Sequence, residues 1–114
     1  MLPRHARLIS PSDFARTTKS GLRLISKSLV LYLYSTKEVA PARFGLIIGK
    51  SVGGSVVRHR VARKIRHSLR DHMSAFPSGS LVVVRALPNS SKADLHTEMN
   101  VTIKKLLEKS AISQ

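Results

Sequence analysis

Side-chain character alternates over residues 28–35 in the way that a β-strand with two unlike faces requires. One face of this strand consists of leucines only: Leu29, Leu31 and Leu33. The opposite face places two aromatic rings next to a valine: Val30, Tyr32 and Tyr34. We therefore expect the leucine face to pack on the core and the tyrosine face to be half exposed.

Two short apolar runs, residues 44–49 and 81–86, are bounded by glycine, proline and serine and are typical of strands that are buried on both faces. The helix predicted between them has an apolar side chain at every fourth position: Val57, Val61, Ile65 and Leu69. Ser55, which follows two glycines, is the expected N-cap of this helix, and residues 76–79 are its expected stop. A strand–helix–strand unit implies that its two strands are parallel.

Two further helices are predicted from capping patterns at their N-termini. In the first, Ser10 is the expected N-cap, and Asp13 is placed to reach back to it. Gly21 is expected to end this helix. The last helix is expected to start at about Ser91, which forms the same capping pair with Asp94. Its apolar side consists of five residues: Leu95, Met99, Ile103, Leu106 and Leu107.

These elements give the order α-β-β-β-α-β-α, in which the region between the first two helices contributes two or three strands. The predicted fold class is therefore α+β, a single-domain α/β sandwich with a small mixed sheet. A chain of 114 residues can build one core of useful size but not two, so we expect residues 1–114 to form one domain.

The charge of the chain is strongly unbalanced, with 20 lysine and arginine residues against 6 acidic residues and a net charge of +14. Such a surplus opposes compaction unless a polyanion neutralises it, which indicates nucleic acid or a membrane surface as the partner. No apolar run reaches secretory length or the roughly 20 residues that span a bilayer, so we expect a soluble, cytoplasmic protein. The sequence has no cysteine, which excludes disulfides and thiolate metal sites.

Much of the positive charge lies in residues 58–70, which hold five Arg, one Lys and two His, and no acid occurs between Glu38 and Asp71. On a helix, the cationic side chains spread over the arc opposite the apolar stripe: Arg60, Arg63, Lys64, His67 and Arg70. Arg58 falls near the apolar arc, so its side chain must pass the helix end or a strand edge to reach solvent. One side of this helix is therefore core and the other is cationic.

Three other roles for this helix are less well supported than RNA binding: a solvated face, a membrane-surface helix and a DNA-binding helix. A solvated helix face usually mixes both signs of charge, whereas like charges here lie side by side at a cost of about a few tenths of a kcal/mol per pair. An interfacial membrane helix would need bulkier apolar side chains than valine and isoleucine. A base-specific DNA-binding helix normally works with a positioning helix or a dimer, and no such pattern is present. A ribosomal protein of related fold shares the charge, size and α+β pattern and stays open as an alternative.

The sequence offers no catalytic constellation of its own. The six acidic residues are scattered, whereas a protein nuclease would cluster them around metal ions. Three residues separate Gly45 from Gly49, whereas a P-loop needs four residues between its glycines. Neither His59 and His67 nor His67 and His72 have the spacing of a helical metal site. We therefore expect no catalytic residue and no metal or cofactor bound by the protein itself.

Residues 49–66 read GKSVGGSVVRHRVARKIR. This segment resembles the signature of the bacterial ribonuclease P protein family, and the resemblance covers nearly the whole chain in order and spacing. The other matching segments are Arg7-Leu8, Asp13-Phe14, residues 29–32, Arg43-Phe44-Gly45 and residues 81–86. Three residues depart from the family pattern, since His59 replaces a usual Asn, Ala62 a usual Lys and Thr18 a frequent aromatic residue. We expect these departures to remove one phosphate contact and to thin the aromatic surface.

The resemblance implies a fold like the second domain of ribosomal protein S5 and a role as the protein subunit of a tRNA-processing endoribonuclease. In that family a large RNA subunit binds Mg²⁺ and removes the 5′ leader of precursor tRNA, so the protein assists and the RNA catalyses. The implied partners are therefore the catalytic RNA subunit and precursor tRNA, with no membrane and no obligate protein partner.

The resemblance also implies two binding surfaces. The surface for the RNA subunit comprises eight residues: Lys50, Arg58, Arg60, Arg63, Lys64, Arg66, His67 and Arg70. A cleft between the sheet and the first helix would hold the single-stranded leader, with three aromatic residues: Phe14, Tyr32 and Tyr34. Aromatic rings beside a basic groove are what sequence-tolerant binding of single strands requires. Packing roles stay open for these rings, because Phe14 could equally close the core and the tyrosines could simply cover the sheet.

Overall fold

The computed structural model describes residues 2–113, and the predicted order of helices and strands is confirmed. The elements are α1 (Pro11–Ser20), β1 (Leu22–Ile25), β2 (Leu29–Ser35), β3 (Arg43–Ile48), α2 (Ser55–His72), β4 (Ser80–Ala86) and α3 (Leu95–Ser113). Short 3₁₀ turns connect several of them, and two of these turns, Lys50–Val52 and Pro88–Lys92, lie next to the surfaces described below.

The strands form one mixed sheet in the order β1-β2-β4-β3. β2 is antiparallel to both of its neighbours, whereas β3 and β4 are parallel, as the strand–helix–strand pattern predicted. α2 is the crossover between these parallel strands. The sequence pattern indicated two or three strands between the first two helices but did not place all of them. The strand that it did not place is β1, the short edge strand that forms a hairpin with β2.

The leucine face of β2 lies in the main core, as predicted. Leu29, Leu31 and Leu33 are at most 3% exposed, and α2 and α3 cover them. The stripe of α2 is buried at Val61, Ile65 and Leu69 and only partly buried at Val57. The predicted side of α3 packs in the same core: Leu95, Met99, Ile103, Leu106 and the partly buried Leu107. Each fully buried aliphatic side chain contributes about 1.5 to 3 kcal/mol, so this layer is the main source of stability.

The tyrosine face of the sheet forms a second, smaller cluster that α1 covers in part. The register places Tyr32 beside Val83 and Tyr34 beside Leu81. Tyr34 is half-buried, but Tyr32 is only 5% exposed. The expectation of a half-exposed face was therefore wrong at Tyr32 and also at Val30, which is 8% exposed, because α1 and the neighbouring strands cover this part of the face.

The helices begin near the predicted residues, but their caps differ. Ser10 is the N-cap residue of α1, as predicted, but its side chain makes no capping hydrogen bond, because its hydroxyl is hydrogen-bonded to that of Ser12 at 2.8 Å. Asp13 does not reach back to Ser10 but pairs with arginines, as described below. Gly54, not Ser55, is the N-cap residue of α2, which ends at His72 before residues 76–79.

The predicted cap of α3 was wrong in a similar way. Ser91 lies within the 3₁₀ turn Pro88–Lys92, and Asp94 alone caps the helix. The carboxylate of Asp94 accepts hydrogen bonds from the backbone N–H of Thr97 at 3.3 Å and from its hydroxyl at 2.8 Å. These two bonds hold the pKa of Asp94 below its ordinary value.

Candidate nucleic-acid interface

The solvent side of α2 is cationic along its length. Its charged side chains are exposed at Arg60, Arg63, Lys64, Arg66, His67 and Arg70. The ion pairs of residues 2–113 join Asp13 to Arg16 and Arg43, and Glu38 to Arg43, so none of them neutralises an arginine of α2. Like charges without acidic partners create a positive potential that favours a polyanion. We call this set, together with Lys50 and Arg58, the α2 surface.

Arg58 occupies an unusual position within the α2 surface. Its Nε atom is buried and has no hydrogen-bond partner. The residue lines a shallow cavity of about 260 Å³ together with Leu46 and Ile48 of the edge strand β3, as well as His59 and Arg66. The side chain thus passes a strand edge, as the sequence predicted. A buried donor without a partner costs about 1 to 3 kcal/mol.

Lys50 reaches the same surface from the 3₁₀ turn that precedes α2. Gly53 ends this turn with a φ of 153°, a conformation that side chains disfavour. A Cβ atom at Gly53 would lie 2.9 Å from Cβ of Val57, so the glycine also lets the turn pack against α2. The Gly-Gly pair therefore positions Lys50 at the N-terminal end of the basic helix.

On the other face of the sheet, α1 covers one half of the tyrosine face. The guanidinium of Arg16 lies 5.1 Å from the ring centroid of Tyr34, and Asp13 holds that guanidinium at 2.8 Å. Phe14 packs over Gly45 of β3, where a Cβ atom would lie 2.3 Å from Cζ of its ring. These contacts fix α1 along β2, β4 and β3 and pair the charge of Arg16 with Asp13.

The other half of the tyrosine face is open and has unpaired arginines. The strand register places Ile25 of β1 beside Val30 of β2, and Val30 beside Arg85 of β4, so these three residues form one row across the sheet. Arg23 is the cross-strand neighbour of Tyr32. Arg23 and Arg85 are exposed and have no acidic partner in the described part of the chain. The guanidinium of Arg85 lies 5.9 Å from the Tyr32 ring centroid.

Sequence reasoning did not single out Arg23 and Arg85 as binding residues. A usable signal exists for Arg85, because it is the only charged residue in the otherwise apolar run of the central strand β4. For Arg23 the signal is its place between Leu22 and Leu24, which puts it on the opposite side from the core. Neither signal shows that both arginines flank Tyr32, because that depends on the strand order.

Residues of α1 and of the α2 surface line one cavity at the β3 edge. Phe14 is half-buried and borders a cavity of about 320 Å³ that is also lined by Arg7 and by Arg66 of α2. The N-terminal segment reaches this edge because the N–H of Leu8 donates to the carbonyl of Phe44 at 2.8 Å. The structure thus brings Phe14, which we predicted to lie in the leader-binding cleft, next to Arg66, which we predicted to bind the RNA subunit. Tyr32 and Tyr34 lie further from α2, on the sheet.

Within residues 2–113, no three His, Asp or Glu side chains converge as metal ligands. In the same part of the chain, no helix is long and apolar enough to cross a membrane.

A small α+β protein with a cationic helix on one side of its sheet and arginines beside aromatic rings on the other is an RNA-binding protein. The family model described as Ribonuclease P matches residues 2–110. The chain belongs to this family and is a protein component of the endoribonuclease that processes tRNA 5′ ends, a ribonucleoprotein whose RNA subunit is its partner.

Curated relatives agree over nearly their full length. The chain is 39% identical over 118 residues to the ribonuclease P protein component of Streptomyces avermitilis, covering 94% of this chain and 96% of the relative. It is 40% identical to the corresponding protein of Streptomyces bikiniensis with the same coverage, 94% and 96%.

Solved structures show the same fold at lower identity. The ribonuclease P protein of Staphylococcus aureus superposes with a TM-score of 0.75 at 22% identity, covering 92% of this chain and 94% of that one. The protein from Thermotoga maritima superposes with a TM-score of 0.74 at 22% identity, covering 90% and 96%. The predicted α+β fold class is therefore confirmed.

Proposed function

We propose that the α2 surface binds the catalytic RNA subunit. Its arginines are close together and without acidic partners, and most of them are exposed. The buried Nε–H of Arg58 has no acceptor within the protein. Planar guanidinium groups bind phosphate oxygens in pairs and stack on bases, both of which a folded RNA presents. The arrangement of charge on one side of a rigidly packed helix is the observation that supports this assignment.

We further propose that the open half of the tyrosine face holds the 5′ leader of precursor tRNA. Arg85 and Arg23 would contact phosphates, and Tyr32 and Phe14 would bound the strand on the side of α1. Tyr34 lies under Arg16, so its ring would support the cleft from beneath α1 and offer little surface for stacking. Basic side chains beside aromatic rings bind single strands with little sequence preference, which suits a leader of variable sequence.

In this proposal the RNA subunit carries the chemistry and its Mg²⁺. Three of the six acidic side chains have partners within the protein, since Asp13 pairs with arginines, Asp94 caps α3 and Glu98 binds serine residues. The contribution of the protein is then to hold two RNA molecules in fixed relation, which lowers the entropic cost of bringing them together. We place this activity in the cytoplasm, where precursor tRNA is made.

The decisive experiment is to purify the protein from its host and sequence the RNA that accompanies it. Recovery of one RNA that cleaves precursor tRNA together with the protein is the expected result. Recovery of ribosomal RNA alone would contradict the proposal and favour a ribosomal protein of related fold.

A further inference from the structure

A cavity of about 770 Å³ borders the open half of the tyrosine face and includes no residue of the α2 surface. It is an open groove at the β1 edge, between the β1–β2 turn, the 3₁₀ turn Pro88–Lys92 and α3. Each of these elements contributes one lysine to its lining: Lys27, Lys92 and Lys105. Ile25 and Val101 add apolar surface and are 61% and 48% exposed. We call this feature the lysine groove.

The β1–β2 turn holds Lys27 in a fixed position. Glu98 of α3 accepts hydrogen bonds from the hydroxyls of Ser26 and Ser28 and from the Ser28 N–H at 2.8 Å. The side-chain amide of Asn89 donates to the carbonyl of Lys27 at 3.1 Å. The backbone of this turn is therefore ordered before a ligand binds, which limits the entropic cost of binding there to the lysine side chain.

The lysine groove has a net positive charge, because its three lysines outnumber its two acids, Asp94 and Glu98. Its two acids have partners within the protein, because Glu98 binds the serines and Asp94 caps α3 through Thr97. Among the described residues, none of the three lysines of the groove has an ion-pair or hydrogen-bond partner. The groove is open rather than enclosed, which suits the flexible chain of a polyanion better than a compact small molecule.

The lysine groove continues from the open half of the tyrosine face. Ile25 belongs to both, since it lines the groove and also stands in the row with Val30 and Arg85. Adjacent strands lie about 4.8 Å apart, so Arg85 and Ile25 are separated by roughly 10 Å across the sheet. Arg23 and the exposed Ile25 therefore connect the proposed leader cleft to the side of the groove where Lys27 lies.

From this continuity we propose that the 5′-distal part of the leader passes around the β1 edge and binds in the lysine groove. The proposal rests on the proposed function of the tyrosine face and extends its single-stranded RNA ligand to a second, separate set of residues. The lysines would contact phosphates, and Ile25 and Val101 would pack against bases. Longer leaders would then bind more tightly than short ones, and the additional affinity would come from the groove.

The test uses the assembled protein–RNA enzyme and a series of precursor tRNAs with leaders of increasing length. The variant Lys92→Gln/Lys105→Gln removes two charges from the groove, and Lys37→Gln/Lys104→Gln removes two from exposed lysines elsewhere. We expect only the groove variant to lose affinity for long leaders, on the order of 10-fold at 0.1 M salt, with a salt slope about 1.4 smaller in magnitude. Its affinity for short leaders and for mature tRNA should equal that of the unmodified protein.

The outcomes separate the two proposals. If the unmodified protein gains affinity from short leaders but the groove variant keeps the full gain from long ones, the lysine groove does not bind leader and the proposed leader cleft stands. Equal losses in both variants, or a loss that is independent of leader length, would show a general charge effect and would also overturn the groove proposal. If no leader of any length improves binding, both proposals are wrong. An acidic protein segment as the true occupant would leave every RNA affinity unchanged.

Discussion

The ring of Phe14 lies over Gly45 so closely that a Cβ atom at position 45 would be 2.3 Å from its Cζ atom. Glycine at this position of β3 therefore sets how near α1 can approach the sheet, and with it the boundary between the covered and the open half of the tyrosine face. A half-buried ring packed in this way has a structural role, while its other edge borders the cavity with Arg7 and Arg66.

This contact predicts that Gly45→Ala destabilises the protein by about 1 to 3 kcal/mol, because the added methyl must displace an aromatic ring. Urea unfolding measures the change. The double variant Gly45→Ala/Phe14→Leu should recover part of the loss, since the smaller side chain leaves room for the methyl. Additive losses in the double variant would show that the two residues do not interact.

Loss of charge from the α2 surface should weaken assembly with the RNA subunit. For Arg60→Ala/Arg63→Ala we expect a lower affinity for that RNA and normal cleavage once excess protein restores the complex. Both side chains are exposed, so the thermal midpoint should stay within a few degrees. Cleavage that stays low at saturating protein would instead assign these arginines a role after assembly.

The same surface predicts a steep dependence of RNA affinity on salt. If α2 neutralises about six phosphates, log affinity should fall with log salt at a slope near −5. Titrations between low and moderate salt measure this slope. A value below about 2 in magnitude would show that most of the cluster makes no phosphate contact.

Arg85 should contribute to leader binding but not to assembly or stability. We expect Arg85→Ala to weaken binding of precursor tRNA on the order of 10-fold, since loss of one stacked or charged contact costs about 1 to 3 kcal/mol. Mature tRNA has no leader and should bind both proteins equally. Tyr32→Ala provides the contrast, because Tyr32 is 5% exposed and its loss should cost several kcal/mol of unfolding free energy, about 3 to 5. An equal effect of Arg85→Ala on both RNAs would place the leader elsewhere.

Glu98 predicts a pH dependence of stability. Burial alone would raise the pKa of its carboxyl, but hydrogen bonds from Ser26 and Ser28 outweigh burial and hold the pKa below its ordinary value of 4.5. The stability that the ionised carboxylate contributes is therefore complete above pH 4.5 and is lost as the pH falls through the lower folded-state pKa. Glu98→Gln should cost about 1 to 2 kcal/mol at pH 7 and should flatten the decline in unfolding free energy below pH 4.5. An unchanged acid profile would contradict this assignment.

The sequence predicted those features that depend on neighbours along the chain. The period of two in β2 separated the leucine face from the tyrosine face, and the period of four in α2 separated Ile65 and Leu69 from the arginines. The caps were less predictable. Ser10 is the N-cap residue of α1 but makes no side-chain capping bond, and Ser91 lies inside a 3₁₀ turn, so that Asp94 caps α3 instead. Asp13 and Asp94 accept hydrogen bonds from Arg16 and Thr97 and do not pair with these serines.

The tertiary structure alone decided which half of the tyrosine face is open and which residues share it. Arg23, Tyr32 and Arg85 come from three strands, and the strand order β1-β2-β4-β3 brings them together. The lysine groove likewise needs a turn, a 3₁₀ segment and a helix. Hydrophobic periodicity is a local property of the chain, whereas these adjacencies result from the packing of all helices and strands around one core, whose free energy no single segment determines.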